Sequence, residues 1–111
     1  MKPDKELKIS EIKAEILKCL AQMGITTKKI ILFGSRARGN FSKASDYDFL
    51  VITEKTYPIK EKMAIAKEIN TALASLLIPA DIIIKSAEET EALKQEIGTV
   101  VREALKEGVE I

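Results

Sequence analysis

Histidine and tryptophan are absent from the 111 residues, there is a single cysteine, Cys19, and aromatic residues make up only 5% of the chain. The missing histidine removes Ser-His-Asp triads, histidine-ligated zinc and an imidazole base together, so acid, base or metal chemistry falls to carboxylates. One cysteine permits no internal disulfide. With no signal-like apolar segment in view, a reducing cytoplasm is the expected setting. No apolar run approaches the ~20 residues of a membrane-spanning helix, so no membrane role is expected. Charge of neither sign dominates either: 18 Lys+Arg stand against 17 Asp+Glu, for a net charge of +1. No global field draws the chain to nucleic acid, which is not expected as a direct ligand, and a bound anion must be gripped by local chemistry.

What is present is a globular balance of 46% hydrophobic and 32% charged residues in 12.3 kDa. That is enough chain for one domain over residues 1–111 to bury roughly two thirds of its unfolded surface. Residues 7–23 place Ile9, Ile12, Ile16, Leu20 and Met23 at helical spacing, with Asp4 or Ser10 as cap, Gly24 as stop and Cys19 beside the apolar stripe. Residues 28–33 read as a buried strand and residues 46–53 as a second, central one. Pro58 opens a helix whose predicted core stripe is Ile59, Met63, Ala66, Ile69, Leu73 and Leu76. Residues 80–85 form a third short strand led by Asp81. Ser86 to Glu89 has capping-box spacing and starts a last helical region with Leu93, Ile97, Val101, Ala104 and Leu105 as its stripe. Gly98 splits that region, and residues 109–111 close the chain as a strand or tail. The fold class expected is α+β, a two-layer arrangement with a mixed sheet of three to four strands covered by helices.

Chemistry concentrates in residues 30–52, IILFGSRARGNFSKASDYDFLVI. Gly34 after a strand lets the backbone approach a ligand, Ser35 offers a hydroxyl and an N–H, and Arg36 and Arg38 add charge. Alone, such a Gly-Ser is most often just a turn. Asp46 and Asp48, two apart on a strand, project from one face with Cα atoms roughly 6.5 Å apart. Two like charges side by side call for a cation, or else for Lys, Arg or a capping role. Asp81, leading an isoleucine-rich strand, joins them if the two strands are neighbours. Three carboxylates on one sheet edge suit a hard, oxygen-preferring ion such as Mg²⁺.

Gly34-Ser35, ten residues, then Asp46-Tyr47-Asp48, with the FGSRARG and SDYDFLV flanks and the downstream Asp81, resembles the signature of the DNA polymerase β-like nucleotidyltransferase superfamily. The small stand-alone "minimal nucleotidyltransferase" (MNT) members are the most similar, and the resemblance covers essentially the whole chain. It implies the nucleotidyltransferase fold, with Asp46 and Asp48 binding two Mg²⁺ ions and Asp81 joining them and helping to deprotonate the attacking hydroxyl. It further implies that Gly34 and Ser35 hold the β,γ-phosphates of ATP, assisted by Arg36 or Arg38. Two Mg²⁺ would bring the carboxylate set from −3 to about +1 before a substrate of about −4 arrives.

A chain this small has no extra domain for the acceptor, so a partner protein, a homodimer or a hetero-oligomer is expected to complete the site. MNT proteins resemble one half of a pair whose other half is an α-helical HEPN toxin. The resemblance implies an antitoxin of a type VII toxin–antitoxin pair that transfers AMP from ATP to a tyrosine of the toxin. Two alternatives stay open: a catalytic subunit acting on a small-molecule or nucleic-acid hydroxyl, and a binding module that masks its partner sterically without turnover.

Overall fold

The computed structural model describes residues 9–39, 42 and 45–111. The elements run α1 (Ile9–Gln22), β1 (Thr27–Phe33), α2 (Ser35–Arg38), β2 (Tyr47–Thr53), α3 (Ile59–Ala74), β3 (Ala80–Ser86), α4 (Ala87–Leu93), α5 (Val100–Glu107) and β4 (Val109–Glu110). Asp4 and the first residues of the predicted N-terminal helix lie outside the described residues. Among the described residues no helix is long and apolar enough to cross a membrane.

Strand order is β3-β2-β1-β4. β1 pairs antiparallel with β2 and with β4, while β2 and β3 are parallel. A parallel pair needs a crossover, and α3 supplies it. The sheet is therefore mixed, as the sequence led one to expect, and within residues 109–111 the pair Val109–Glu110 forms an edge strand.

Period-2 alternation in β1 and β2 sorts side chains onto two faces. On one face Ile30, Leu32, Tyr47, Phe49 and Val51 meet Ile12, Ile16 and Leu20 of α1 and Ile65, Ile69 and Leu73 of α3. Cys19 is buried in this layer, and burial pushes its thiol up from the ordinary value, with Glu68 and Glu15 adding to the shift. An unreactive core thiol is the consequence. On the other face a smaller cluster forms from Ile31, Leu50, Ile52 and Ala104, with Phe33, Ile83 and Ala87 against it.

The α3 stripe differs from the expectation. Ile69 and Leu73 are buried, but Ile59 and Met63 are 73% and 67% exposed, and Ile65 takes the inward place. Apolar residues at 59, 63, 65, 66, 69 and 73 make two overlapping stripes. Spacing alone cannot choose between them, and the helix settles with Ile65, Ile69 and Leu73 toward the sheet. The helix also stops at Ala74 rather than near Leu77, because Leu77 takes a left-handed backbone (φ 61°) that closes the last turn. Ile97 is likewise exposed, leaving Val101 and Ala104 as the buried positions of α5.

Candidate active site

The sequence FGSRARG folds as one helical turn between two glycines. The Gly34 carbonyl accepts from the N–H groups of Ala37 and Arg38, both at 3.1 Å, and Gly39, in a left-handed conformation (φ 84°), donates back to the Ser35 carbonyl at 3.0 Å. Gly34 itself has φ 78° and ψ −160°, a region essentially reserved for glycine. A Cβ there would overlap the Asp48 carboxylate, lying 3.1 Å from its Cγ. The turn is thus pressed against the acidic strand.

Register does the rest. Phe33, the last residue of β1, pairs with Asp48, and Asp48 pairs with Asp81 across the parallel β2–β3 ladder. Asp48 shares a face with Leu50, and Asp81 with Ile83, so both belong to the less covered face of the sheet. Asp46 lies just outside β2 and is exposed, as is Asp81; Asp48 is half-buried. The juxtaposition expected from sequence, an acidic pair met by a third aspartate from a neighbouring strand, is present.

Electrostatics reflects that crowding. The Asp48 carboxyl is raised above its ordinary value, first by burial, then by the negative charges of Asp81 and Asp46, with Arg38 pulling in the opposite direction. Among the described residues no three carboxylate or thiol side chains are gathered tightly enough to hold a metal ion in this geometry. The chemistry of the donor set nonetheless fits one: three oxygen-donor carboxylates at one strand end, repelling one another around a half-buried member, are what a hard divalent cation neutralises.

The two arginines have separate placements. Arg36 donates from Nε and Nη2 to the Ser45 carbonyl (3.3 and 3.2 Å) and from Nη1 to the Tyr47 hydroxyl (3.2 Å), and its guanidinium lies 4.2 Å from the centroid of the Tyr47 ring. Tyr47 stacks in turn on Phe49, with ring centroids 5.9 Å apart. Arg36 therefore braces the entry to β2 and the acidic pair that follows. Arg38 reaches across to α5 and pairs with Glu107 at 3.3 Å.

That pairing borders a feature the sequence did not signal, a cleft of about 330 Å³ with Phe33, Gly34 and Arg38 on one side and Gly98, Thr99, Val100, Glu103 and Glu107 on the other. Its far wall comes from a helix more than sixty residues away along the chain, and no local pattern announces where such a helix docks.

A model of the nucleotidyltransferase domain family matches residues 13–111. The chain belongs to that family. The chain is 44% identical over 39 residues to a Methanocaldococcus jannaschii protein provisionally named a protein adenylyltransferase; the match spans 35% of the chain and 39% of that protein's length. Its fold is also that of a chain in a toxin–antitoxin crystal structure with AMP-PNP (TM-score 0.61, 20% identity, 88% of this chain and 70% of that one). A chain in the structure of a tri-AMPylated Shewanella oneidensis HEPN toxin with its MNT antitoxin superposes with TM-score 0.57 at 17% identity, over 93% and 71% of the two chains. A structure provisionally described as a minimal nucleotidyltransferase matches over 97% of this chain and 100% of its own, with TM-score 0.59 at 19% identity.

Proposed function

We propose that this nucleotidyltransferase is a Mg²⁺-dependent protein adenylyltransferase that moves AMP from ATP to a tyrosine of a HEPN toxin and so acts as the toxin's antitoxin. The observation that carries the reading is the register of Asp48 against Asp81, with Gly34 pressed on Asp48: a glycine turn and carboxylates from two parallel strands meet at one point. The crystal structures of similar fold that hold AMP-PNP or an AMPylated HEPN toxin favour ATP and a toxin as the partners.

In this reading Asp46, Asp48 and Asp81 would hold two Mg²⁺ ions, which when bound supply charge neutralisation at the phosphates and a more acidic acceptor hydroxyl. Gly34 and Ser35 present backbone and hydroxyl groups to the β,γ-phosphates. Asp81 stands on the outer strand, where an acceptor tyrosine arrives, and takes its proton as the oxygen attacks the α-phosphorus and pyrophosphate leaves. Arg36 keeps Tyr47, and with it the start of β2, in place. Arg38 must leave Glu107 to assist the phosphates, a small cost because exposed ion pairs contribute about 0–1 kcal/mol. In this scheme the acceptor site is completed by the partner or by a second copy.

Intact-mass spectrometry of a candidate HEPN partner, incubated with this protein, ATP and Mg²⁺, tests the reading. A gain of one or more AMP masses on a tyrosine is the expected result. Neutralisation of the toxin with no mass change would leave steric masking instead, and an adenylylated small molecule with no protein adduct would point to a different acceptor.

A further inference from the structure

We propose that the cleft between the Gly34 turn and α5 seats the nucleoside half of the donor nucleotide, with Glu103 accepting hydrogen bonds from it. The inference rests on the nucleotidyl-transfer reading and goes on to say which part of the donor lies where.

Position comes first. Phe33 and Gly34 floor the cleft, and the same two residues adjoin Asp48, through strand pairing and through direct contact respectively. A nucleotide whose phosphates lie at the carboxylates has its remaining atoms within reach of this space. At about 330 Å³ the cleft is at the lower end of small-molecule sites, which run roughly 300–1,000 Å³, so it holds a part of a nucleotide rather than all of it.

Charge then decides which part. Glu103 and Glu107 face one guanidinium, Arg38, and that cation is already paired with Glu107. Glu103 and Glu107 make the α5 wall of the cleft negative, and a triphosphate of about −4 is held off that wall and toward the turn opposite it. The phosphates go to the turn and the metal-binding edge, and the uncharged nucleoside is what the cleft can accept.

Hydrogen-bonding capacity narrows this further. The Thr99 hydroxyl is occupied, accepting from the Arg102 N–H at 3.1 Å and donating to the Glu96 carbonyl at 2.9 Å as the cap of α5. Glu103 makes no ion pair among the described residues. What the cleft has to offer is therefore an acceptor-only carboxylate beside apolar surface from Phe33 and from Val100, which is 46% exposed. A nucleoside matches this with donors, the ribose hydroxyls or a base amine, and with a ring face for the apolar wall; carboxylates are established acceptors for ribose hydroxyls.

Calorimetric titration of the full chain with the Mg²⁺ complexes of ATP, 2′-deoxyATP, ITP and inorganic tripolyphosphate tests the proposal. ATP is expected to bind about tenfold or more tighter than tripolyphosphate, a margin of about 1.4 kcal/mol. Glu103→Ala should erase most of that margin, and Val100→Trp, which fills the cleft, should erase it as well, while tripolyphosphate binds at least as well as before. A loss with 2′-deoxyATP assigns the contact to the ribose, and a loss with ITP to the base amine. Equal binding of ATP and tripolyphosphate to the parent overturns the proposal but leaves phosphate binding at the turn intact. So does parent-like binding of both analogues. If neither ATP nor tripolyphosphate binds, the nucleotidyl-transfer reading falls and the cleft assignment with it.

Discussion

The two faces of the sheet are built to different standards. One carries α1 and α3 packed over fully buried Phe49, Val51 and Ile30, whereas the other has a four-residue cluster, short helices, and the aspartates at its margin. Adjacent residues of β2 show what the difference means. Phe49 is 0% exposed and packs on the closed face, while Asp48 points to the open one and is held there at an electrostatic cost. Stability comes chiefly from the first face, and the chemistry proposed for this protein belongs to the second.

Substituting these two neighbours is the strongest way to break the comparison. Asp48→Asn should reduce nucleotide transfer on the order of a hundredfold or more, because the half-buried member of the proposed metal-binding set is lost. Its melting temperature should match or exceed the parent's, since like-charge repulsion from Asp81 and Asp46 is relieved. Phe49→Ala should do the reverse, costing about 3–5 kcal/mol of stability by opening a cavity in the closed layer. Paired thermal melts and transfer assays read both outcomes, and an Asp48→Asn protein that melted well below the parent would deny that the open face is free of structural duty.

The glycines of the turn sharpen the same contrast at smaller amplitude. Gly34→Ala meets both a backbone region closed to side chains and the Asp48 carboxylate, so about 1–3 kcal/mol of strain is expected together with a tenfold or greater drop in transfer. Gly39→Ala at the other end of α2 finds nothing within 4 Å and should cost only about 1 kcal/mol with transfer near that of the parent. Equal losses of transfer in the two variants would mean that the turn needs flexibility rather than close approach.

Even the closed layer has one ill-fitting place. α1 and α3 end in the same hydrogen-bond pattern: Ile25 and Ile78 donate back five residues, to Leu20 and Leu73, both at 2.9 Å. The left-handed residue in the first is Gly24 (φ 73°); in the second it is Leu77 (φ 61°), the sole described non-glycine residue with positive φ, with its side chain 90% exposed. A leucine gains nothing there from burial and bears the steric penalty that glycine avoids. Leu77→Gly should therefore raise the midpoint of urea unfolding by the equivalent of up to about 1 kcal/mol, less the extra freedom that glycine gives the unfolded chain.

Legibility in the sequence follows the range of the interactions involved. The Gly34 turn, the capping box at Ser86 and the three strands are local, set by residues a few positions apart, and the Ser86 hydroxyl does accept from the Glu89 N–H while the Glu89 carboxylate accepts from the Ser86 N–H. Asp81 was legible as a candidate because a charged residue led an isoleucine run, but its place opposite Asp48 depended on a crossover that composition does not reveal. The inward stripe of α3 was not legible, since Met63 and Ile65 compete at similar spacing and only the docked helix chooses. Nor was the cleft at α5, or the engagement of Arg36 with Ser45 and Tyr47, since both depend on contacts settled after the elements have met.

Acid titration offers the smallest and most discriminating test, because the sheet carries carboxylates of opposite sign in their effect at its two ends. At the end opposite the aspartates, Lys62 of α3 donates to Glu89 of α4 at 2.6 Å. Burial there pushes the Glu89 carboxyl up, but the hydrogen bonds from Lys62 and from the Ser86 N–H outweigh it, so the group titrates below its ordinary value of 4.5. Its contribution to stability is present above that value and is lost as pH falls through the folded pKa. Asp48 behaves inversely: with a folded pKa above its ordinary 3.8, it weakens the fold at neutral pH and ceases to do so as pH drops through the folded value toward 3.8. Urea midpoints measured across this range should show Glu89→Gln less stable than the parent by about 1 kcal/mol at pH 7, with the gap closing in acid. The small advantage of Asp48→Asn at pH 7 should vanish over the higher part of the same range. A Glu89→Gln gap that persisted at a pH where NMR shows the parent's Glu89 carboxyl to be protonated would show that its source is packing rather than the ion pair joining α3 of the closed face to α4 of the open one.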